Sequence, residues 1–559
     1  MARLQQISTT GARPAPAAAP PLFAALLDPA CYPHPVAGVR VLETHISWVL
    51  LTGEYAYKIK KPVNLGFLDF SSLELRRHYC EEELRLNRRL APELYLDLAE
   101  IRGTPGAPRV GGDGPVLEYA VRMREFPQAS LASRALAGGA FGAAEIDALA
   151  ALVARFHASA PQARTETRYG APDAVLADAL QNFEQMLQLA RAAPDDRALR
   201  ALRLWTQHEF EARSGVFAAR RKQGFVRECH GDLHLGNIVL LDGRPVPFDC
   251  IEFNDSLRWI DVMSEAAFLA MDLEDRGRRD LAWRFLNRYL EATGDYAGLA
   301  VLPFYLVYRA LVRAKVHLMR SRQSGLRRPE RARLTRAFED YLRLAGRLAA
   351  PERPALILAH GLSGCGKTTL TQPLVEALGA IRVRSDLERK RAHGVAPRAS
   401  SGSGVGSGLY TAVINAATYR RLGELAQEAL RAGFPVVVDA AFLKRAERDA
   451  FRAIAERLDV PFTILDFHAP LEVLRARITE RLARADDAAE ADLAVLEHQL
   501  RAREPLTPAE MASSYTVDAT VPAAHELWRP LIERLHRLAD GKALRPAARA
   551  HHPDDGKGS

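Results

Sequence analysis

Lysine is scarce in this sequence, cysteine scarcer, and no apolar run approaches the roughly 18 residues that a membrane-spanning helix requires. The five cysteines, Cys31, Cys80, Cys229, Cys250 and Cys365, are scattered without metal-ligand spacing, which excludes a disulfide framework and fits a reducing compartment. The leader lacks an apolar signal core and is broken by Pro14, Pro16, Pro20 and Pro21, so a cytoplasmic protein without a membrane partner is expected. A basic stripe is missing too. The 76 Lys and Arg are interspersed with 68 Asp and Glu, and a net charge of +8 spread this way describes a solvated surface and no specific nucleic-acid partner. Only 10 of the 76 basic residues are lysines, so where a generic cation would serve this chain uses arginine, and each lysine carries information. Four of them, Lys58, Lys60, Lys61 and Lys367, fall in candidate phosphate-contacting segments, which suggests two nucleotide sites.

With 559 residues, 48% apolar and 26% charged, the chain has material for several folded units. An Ala/Pro-rich leader, residues 1–21, is expected to be disordered. Short β-rich stretches follow, Val39–Leu51 and Tyr55–Lys60, joined by the hairpin turn Thr52-Gly53-Glu54. Then come a helix over Ser72–Leu90, a strand over Val116–Met123, and a helical block from Ala143 to Arg220 interrupted near Pro161, Pro172 and Pro194. A strand-loop-strand spans Val226–Phe253 and helices return over Ile260–Leu348. These boundaries give one domain over 22–345, a Pro-rich linker over 346–354, a second domain over 355–541 and a disordered tail over 542–559. Within the second domain strands alternate with helices, the pattern of a parallel α/β sheet.

The sharpest motif lies there. Gly361-Leu362-Ser363-Gly364-Cys365-Gly366-Lys367-Thr368 has the Gly-x4-Gly-Lys-Ser/Thr spacing between an apolar strand and a helix, with Thr369 next. Backbone N–H groups and the helix N-terminus cradle phosphate in such a loop, the lysine reaches the β/γ oxygens, and Thr368 offers a hydroxyl to Mg2+. ATP or GTP binding is expected of this loop, with ATP and Mg2+ as the expected cofactors of the protein. Asp439 ends the apolar strand Val436–Val438, where a carboxylate orients Mg2+. Asp386, in Arg384-Ser385-Asp386, is placed to orient or deprotonate an acceptor hydroxyl, its bland alternative being a helix N-cap. Arg477 and Arg481, four apart on one helical face, suit a lid that clamps transferring phosphate, or a surface salt-bridging face. Gly402–Gly408 reads as a mobile substrate loop or a plain flexible linker. Together these motifs resemble the small P-loop kinases, such as gluconate, shikimate and polynucleotide kinases, over roughly residues 353–541. The resemblance implies phosphoryl transfer to a hydroxyl.

The second constellation is Cys229-His230-Gly231-Asp232-Leu233-His234-Leu235-Gly236-Asn237, followed by Val246-Pro247-Phe248-Asp249. A kinase catalytic loop spaces its base and its first metal ligand five apart and takes the second ligand from the next hairpin. On that pattern Asp232 accepts the acceptor's proton, Asn237 and Asp249 hold Mg2+, and His230 braces the loop. A metal site built from His230, Asp232 and His234 is the structural competitor. The loop resembles the aminoglycoside phosphotransferase and choline kinase branch of the protein-kinase-like fold, over roughly residues 22–345. That fold asks for a lysine on the third strand paired with a helix glutamate. Lys58 and Lys60 share one strand face and either qualifies, Lys58 being preferred; among Glu81, Glu82 and Glu83 the choice is Glu83. A glycine-rich loop before the lysine is missing, with only Gly53 in the turn, and Asp261 is expected to brace the catalytic loop. Glu252, Asp255, Asp272, Glu274 and Asp275 are interleaved with arginines, which argues against a pocket for polycations.

Both halves in this order resemble bacterial bifunctional aminoglycoside-phosphotransferase-like/ATP-binding proteins, with Glu43-Thr-His-Ile-Ser-Trp48 and Leu65-Gly-Phe-Leu-Asp-Phe70 as stretches of that group. The expected fold class is an α+β protein-kinase-like N-terminal domain followed by an α/β P-loop NTPase domain. The expected function is ATP-dependent phosphate transfer to small-molecule acceptors. The rival is a sensor or scaffold with an inactive N-terminal half and a nucleotide switch, and a plain ATPase is a third reading.

Overall fold

The computed structural model describes residues 20–66, 68–190, 197–323, 325–350, 353–396, 411–484 and 491–543. The expectations for the leader before residue 20, for the tail beyond 543 and for Gly402–Gly408 lie outside the described residues. The chain divides into two compact units, the first ending at Ala350. Among the described residues, no helix is long and apolar enough to cross a membrane.

The first unit opens with an antiparallel sheet of six strands: β1 (Arg40–Glu43), β2 (Ser47–Leu51), β3 (Tyr55–Lys60), then, after helix α1 (Leu73–Asn87), β4 (Tyr95–Thr104), β5 (Ala107–Val110) and β6 (Val116–Arg124). The strand order is β1-β2-β3-β6-β4-β5, so β3 is interior and is buried from Ala56 to Lys60. The single stretch expected over Val39–Leu51 is instead two strands around the turn Thr44-His45-Ile46, closed by Ile46 and Ser47 N–H groups donating to Thr44 Oγ1. Neither β4 nor β5 was expected, because Asp97, Glu100 and Arg102 interrupt the alternation that marks a strand.

Helices α2 (Ala143–Ser159), α3 (Pro172–Ala190) and α4 (Arg197–Lys222) follow; α2 ends before Pro161 and α3 starts at Pro172, as expected, while the break expected near Pro194 lies outside the described residues. Strand β7 (Val226–Glu228) leads into the loop carrying Asp232, and the hairpin of β8 (Ile238–Leu241) and β9 (Arg244–Pro247) carries Asp249 at its exit. A short strand β10 (Trp259–Asp261), in a region read as helical, pairs with β7 and fixes the roots of the loop. Helices α5 (Val262–Asp275), α6 (Arg279–Thr293), α7 (Leu302–Ser321) and α8 (Arg328–Leu348) complete the unit; 12 of the 14 residues of α5 are buried, so it is the helical core behind the loop.

In the second unit β11 (Leu356–His360) runs into the P-loop and α9 (Lys367–Leu378), then β12 (Ile381–Arg384), α10 (Ser385–Ala392), α11 (Ala412–Arg431), β13 (Val436–Asp439), α12 (Arg445–Arg457), β14 (Phe462–His468), α13 (Leu471–Arg484), α14 (Leu493–Ala502) and β15 (Ser514–Asp518). The five strands are parallel in the order β12-β13-β11-β14-β15. Strand order reverses on either side of β11, which opens a crevice at the carboxyl ends of the strands. The edge strand β15 is largely polar, with only Val517 buried, and offered no apolar run in the sequence.

Candidate active sites

On β3 alternation turns Lys58 and Lys60 to the same side, and both are buried, with 5% and 0% exposure. Lys58 Nζ donates to Glu83 Oε1 and to Asp249 Oδ1, each at 2.6 Å. Lys60 Nζ donates to Glu83 Oε2 at 2.8 Å and to Glu252 Oε1. Glu83 thus gives one oxygen to each lysine, whereas Glu81 and Glu82 pair with Arg77 and Arg85 on the outer face of α1. Burial pushes the Asp249 carboxyl up, to about 6, against the pull of Lys58. Glu83 is equally desolvated, yet its two lysines hold it down at about 2.

The loop after β7 is tied from behind. Gly231 sits at φ +87°, and a Cβ there would lie 2.8 Å from Leu257 O, so only glycine fits. Asp232 N–H donates to His230 Nδ1 at 3.3 Å, which leaves Nε2 to donate to Phe248 O at 2.9 Å. His230 therefore clips the loop to the Asp249 hairpin. Asn237 Nδ2 donates to Asp232 Oδ2 at 2.7 Å, while Asp232 Oδ1 is buried with no hydrogen-bond partner. The competing three-residue metal site does not form because both His230 nitrogens are used as above; His234 does face Asp232, its Nε2 3.4 Å from Asp232 Oδ2, while its Nδ1 accepts from Gly236 N–H at 3.0 Å.

Asp261 does not brace this loop. It receives two hydrogen bonds from Arg220, each 2.8 Å, and caps α5 by accepting from Met263 N–H. The brace is Glu265, which accepts from His230 N–H at 3.0 Å and Gly231 N–H at 2.7 Å and meets His157 Nε2 at 3.1 Å. It was missed because a carboxylate inside a helical stretch has no spacing signal.

Asp249 adopts φ +67°, a conformation Asp tolerates better than most residues, and its N–H donates to Tyr95 Oη at 3.1 Å. Beside it lies a cavity of about 50 Å³, lined by Val49, Ala56, Lys58, Tyr95, Met123 and Phe126 among others. Ligand pockets usually measure about 300–1,000 Å³, so this one is nearly filled by its own side chains. The β1–β2 turn carries no glycine; Gly53 lies in the β2–β3 turn instead. Of the acids considered for a cationic ligand, Glu252 binds Lys60, Asp272 binds Leu235 N–H and Arg276, and Glu274 binds Arg279. They serve ion pairs and loop anchoring.

At the P-loop, Lys367 Nζ donates to the carbonyls of Gly361 and Leu362 at 2.9 and 3.0 Å. Thr368 Oγ1 donates to Asp439 Oδ2 at 2.6 Å. Gly364 lies at φ +83°, with Leu474 O only 2.8 Å from where a Cβ would stand. A cavity of about 1,000 Å³ opens here, lined by Ser363, Gly364 and Gly366 to Thr369, with Asp386, Asp439, Arg477 and Arg481. Cys365 turns inward; it is 1% exposed, and burial pushes its thiol up. Asp386 is the second residue of α10 rather than its N-cap, which is Arg384, and it lines the cavity with Arg389 Nη1 at 3.5 Å. Gln499 of α14, which no motif flagged, accepts from the P-loop Ser363 N–H at 2.8 Å.

Both donor sets suit a hard cation. Asp249 with Asn237, and Thr368 with Asp439, offer oxygen ligands of the kind Mg2+ prefers. The unsatisfied Asp232 Oδ1 beside the first set and the Thr368–Asp439 contact in the second fit that group.

A model of the phosphotransferase enzyme family matches residues 74–302, and a model of an AAA domain matches residues 356–506. The uncharacterized protein Rv2004c of Mycobacterium tuberculosis is 33% identical over 516 residues, which is 90% of this chain and 99% of that one. Among solved structures, an amicoumacin kinase in complex with AMP-PNP and Ca2+ is 16% identical with a TM-score of 0.34, over 57% of this chain and 91% of its own. A gluconokinase from Sinorhizobium meliloti is 24% identical with a TM-score of 0.25, over 34% of this chain and 97% of its own. With the mycobacterial alignment running nearly end to end, the chain belongs to that protein's family, and it joins an aminoglycoside-phosphotransferase-like, kinase-fold domain to a P-loop kinase domain.

Proposed function

We propose that each unit binds Mg-ATP and transfers its γ-phosphate to the hydroxyl of a small molecule. The observation that carries this reading is the convergence, in both units, of a lysine, a pair of oxygen donors and a further carboxylate. In the second unit Lys367 meets the β/γ-phosphates, Thr368 and Asp439 hold the metal, Asp386 orients or deprotonates the acceptor, and Arg477 and Arg481 neutralise charge on the transferring group. In the first, Lys58 grips phosphate, Asn237 and Asp249 hold the metal, and Asp232 is the base. Mg2+, when bound, supplies neutralisation of phosphate charge. Asp232 is arranged to act as that base, since Asn237 fixes one carboxylate oxygen and the other is buried and free to take a proton.

One observation favours the sensor reading for the first unit, namely the cavity of about 50 Å³ beside Lys58. The experiment that decides is incubation of the full chain with Mg2+, labelled ATP and a small-molecule extract, repeated with Lys367→Ala and with Asp232→Asn. Each variant is expected to lose a different labelled product. Label that never leaves ATP would refute the transferase reading. Label lost only with Lys367→Ala would make the first unit a binding domain.

A further inference from the structure

Alternation along β3 gives the first site two lysines where one lysine–glutamate pair suffices to grip phosphate. Lys60 is the more deeply placed, fully buried, with Phe70 also 0% exposed and its ring centroid 4.9 Å from Lys60 Nζ. A buried ammonium is tolerated only when paired and hydrogen-bonded, and Lys60 meets this through Glu83 of α1 and Glu252, three residues beyond Asp249. Its two carboxylate partners therefore sit on the two elements that the nucleotide site must hold in register.

The sharing of Glu83 has a consequence for binding. In this structure Lys58 spans Glu83 and Asp249, so the phosphate-gripping lysine occupies an oxygen of the proposed metal ligand. Nucleotide phosphate that competes for Lys58 would release that oxygen, Asp249 Oδ1, toward a metal. If Lys58 were the sole partner of Glu83, its departure would weaken the hold on α1 as well. Glu83 Oε2 remains on Lys60, and Glu252 keeps the segment after Asp249 on the same ammonium. The cluster has three carboxylates, Glu83, Asp249 and Glu252, against two ammoniums, so one negative charge is in excess, the sign a divalent cation relieves.

We propose that Lys60 is a positioning residue of the N-terminal nucleotide site: with Glu83 and Glu252 it forms a fixed frame that lets Lys58 exchange Asp249 for nucleotide phosphate. This rests on the reading of that site as one for Mg-ATP. The test uses the full chain carrying Lys367→Ala, which silences the P-loop, with Mg2+ and AMP-PNP as probes. Affinity and the Mg2+ concentration it needs are measured by calorimetry, and melting temperature by thermal unfolding. Lys60→Met and Glu252→Gln are each expected to weaken Mg-AMP-PNP binding about tenfold or more and to raise the Mg2+ requirement. The double variant should lose less than the product of the two. Arg220→Met breaks another buried ion pair of the same unit, Arg220 with Asp295, which touches neither α1 nor the segment after Asp249, and should lower the melting temperature while leaving affinity unchanged. If Lys60→Met fails to fold, Glu252→Gln alone decides. Unchanged Mg-AMP-PNP affinity in the folded variants, with the parent binding normally, overturns the role of Lys60 only. A Lys367→Ala parent that binds no AMP-PNP overturns the nucleotide reading of the site and this role with it.

Discussion

Lys367 rests on two carbonyls of its own loop and faces a cavity of about 1,000 Å³, whereas Lys58 lies between two carboxylates beside a cavity of about 50 Å³. The difference follows from where each site keeps its binding charge. A P-loop presents backbone N–H groups and a helix dipole, partial charges fixed by local conformation that tolerate water and need no counter-ion. The kinase-like site uses whole side-chain charges at buried positions, and these must neutralise one another when nucleotide is not there to do so. On the proposed reading, an open site and a self-paired site are two solutions to holding the same polyanion.

The largest effect that separates the two is on turnover. Asp232→Asn and Asp386→Asn should each leave Mg-AMP-PNP affinity nearly unchanged and lower transfer in their own unit by about 10²–10⁴-fold, the usual contribution of a positioned base. Single-turnover transfer alongside calorimetry reads both quantities. Equal loss of binding and turnover for Asp386→Asn would make that residue a structural part of α10.

Next comes stability. Lys58→Met strands a buried carboxylate and should cost about 3–5 kcal/mol of unfolding free energy. Lys367→Met removes contacts to two loop carbonyls and to Cys365 Sγ, and should change unfolding by less than about 1 kcal/mol. Urea unfolding of both variants checks this, and equal costs would erase the contrast between the sites. Nucleotide binding at the P-loop should then fall about 10²-fold in Lys367→Ala, the worth of charge-assisted hydrogen bonds of about 1.5–3 kcal/mol. Calorimetry should show one of two Mg-AMP-PNP sites disappearing.

The last effect is spread over pH and appears only in acid. Burial pushes the Glu265 carboxyl up, but the hydrogen bond and charge of His157 hold it down at about 2, below its ordinary 4.5. A depressed carboxyl contributes stability that is complete above its unfolded pKa and is lost as pH falls toward the folded one, here from 4.5 to about 2. The first unit should lose about 1.4 kcal/mol per pH unit from this group across that window. Glu265→Gln should flatten that part of the slope, and urea midpoints at stepped pH would show it. A parallel slope in both proteins would remove Glu265 from the account.

Much of this was legible in advance where function depends on local spacing. Gly361 to Thr368 must form a phosphate loop because its glycines, lysine and threonine act through backbone conformation within eight residues. The step from Asp232 to Asn237 is likewise local, and Asn237 does reach back to Asp232. Glu265, Gln499 and Tyr95 were not legible, since each arrives from an element distant in sequence and nothing in its neighbours marks it. Asp261 was misassigned for the same reason. It lies close to the loop in sequence, yet the partner that claims it, Arg220, comes from 41 residues upstream.

The sequence by itself determined the order of the two units, the P-loop and the Asp232-to-Asn237 spacing, and it narrowed the candidate N-terminal lysine to Lys58 or Lys60, because strand alternation turns both to one face. Only the tertiary structure decided how those lysines divide their partners. Glu83 from α1 and Asp249 and Glu252 from beyond the β8–β9 hairpin converge on β3 through packing, which places Asp249 on Lys58, Glu252 on Lys60 and Glu83 between them. Long-range convergence of buried charges has no periodicity for a sequence to display, and it is what makes one of the two sites open and the other self-paired.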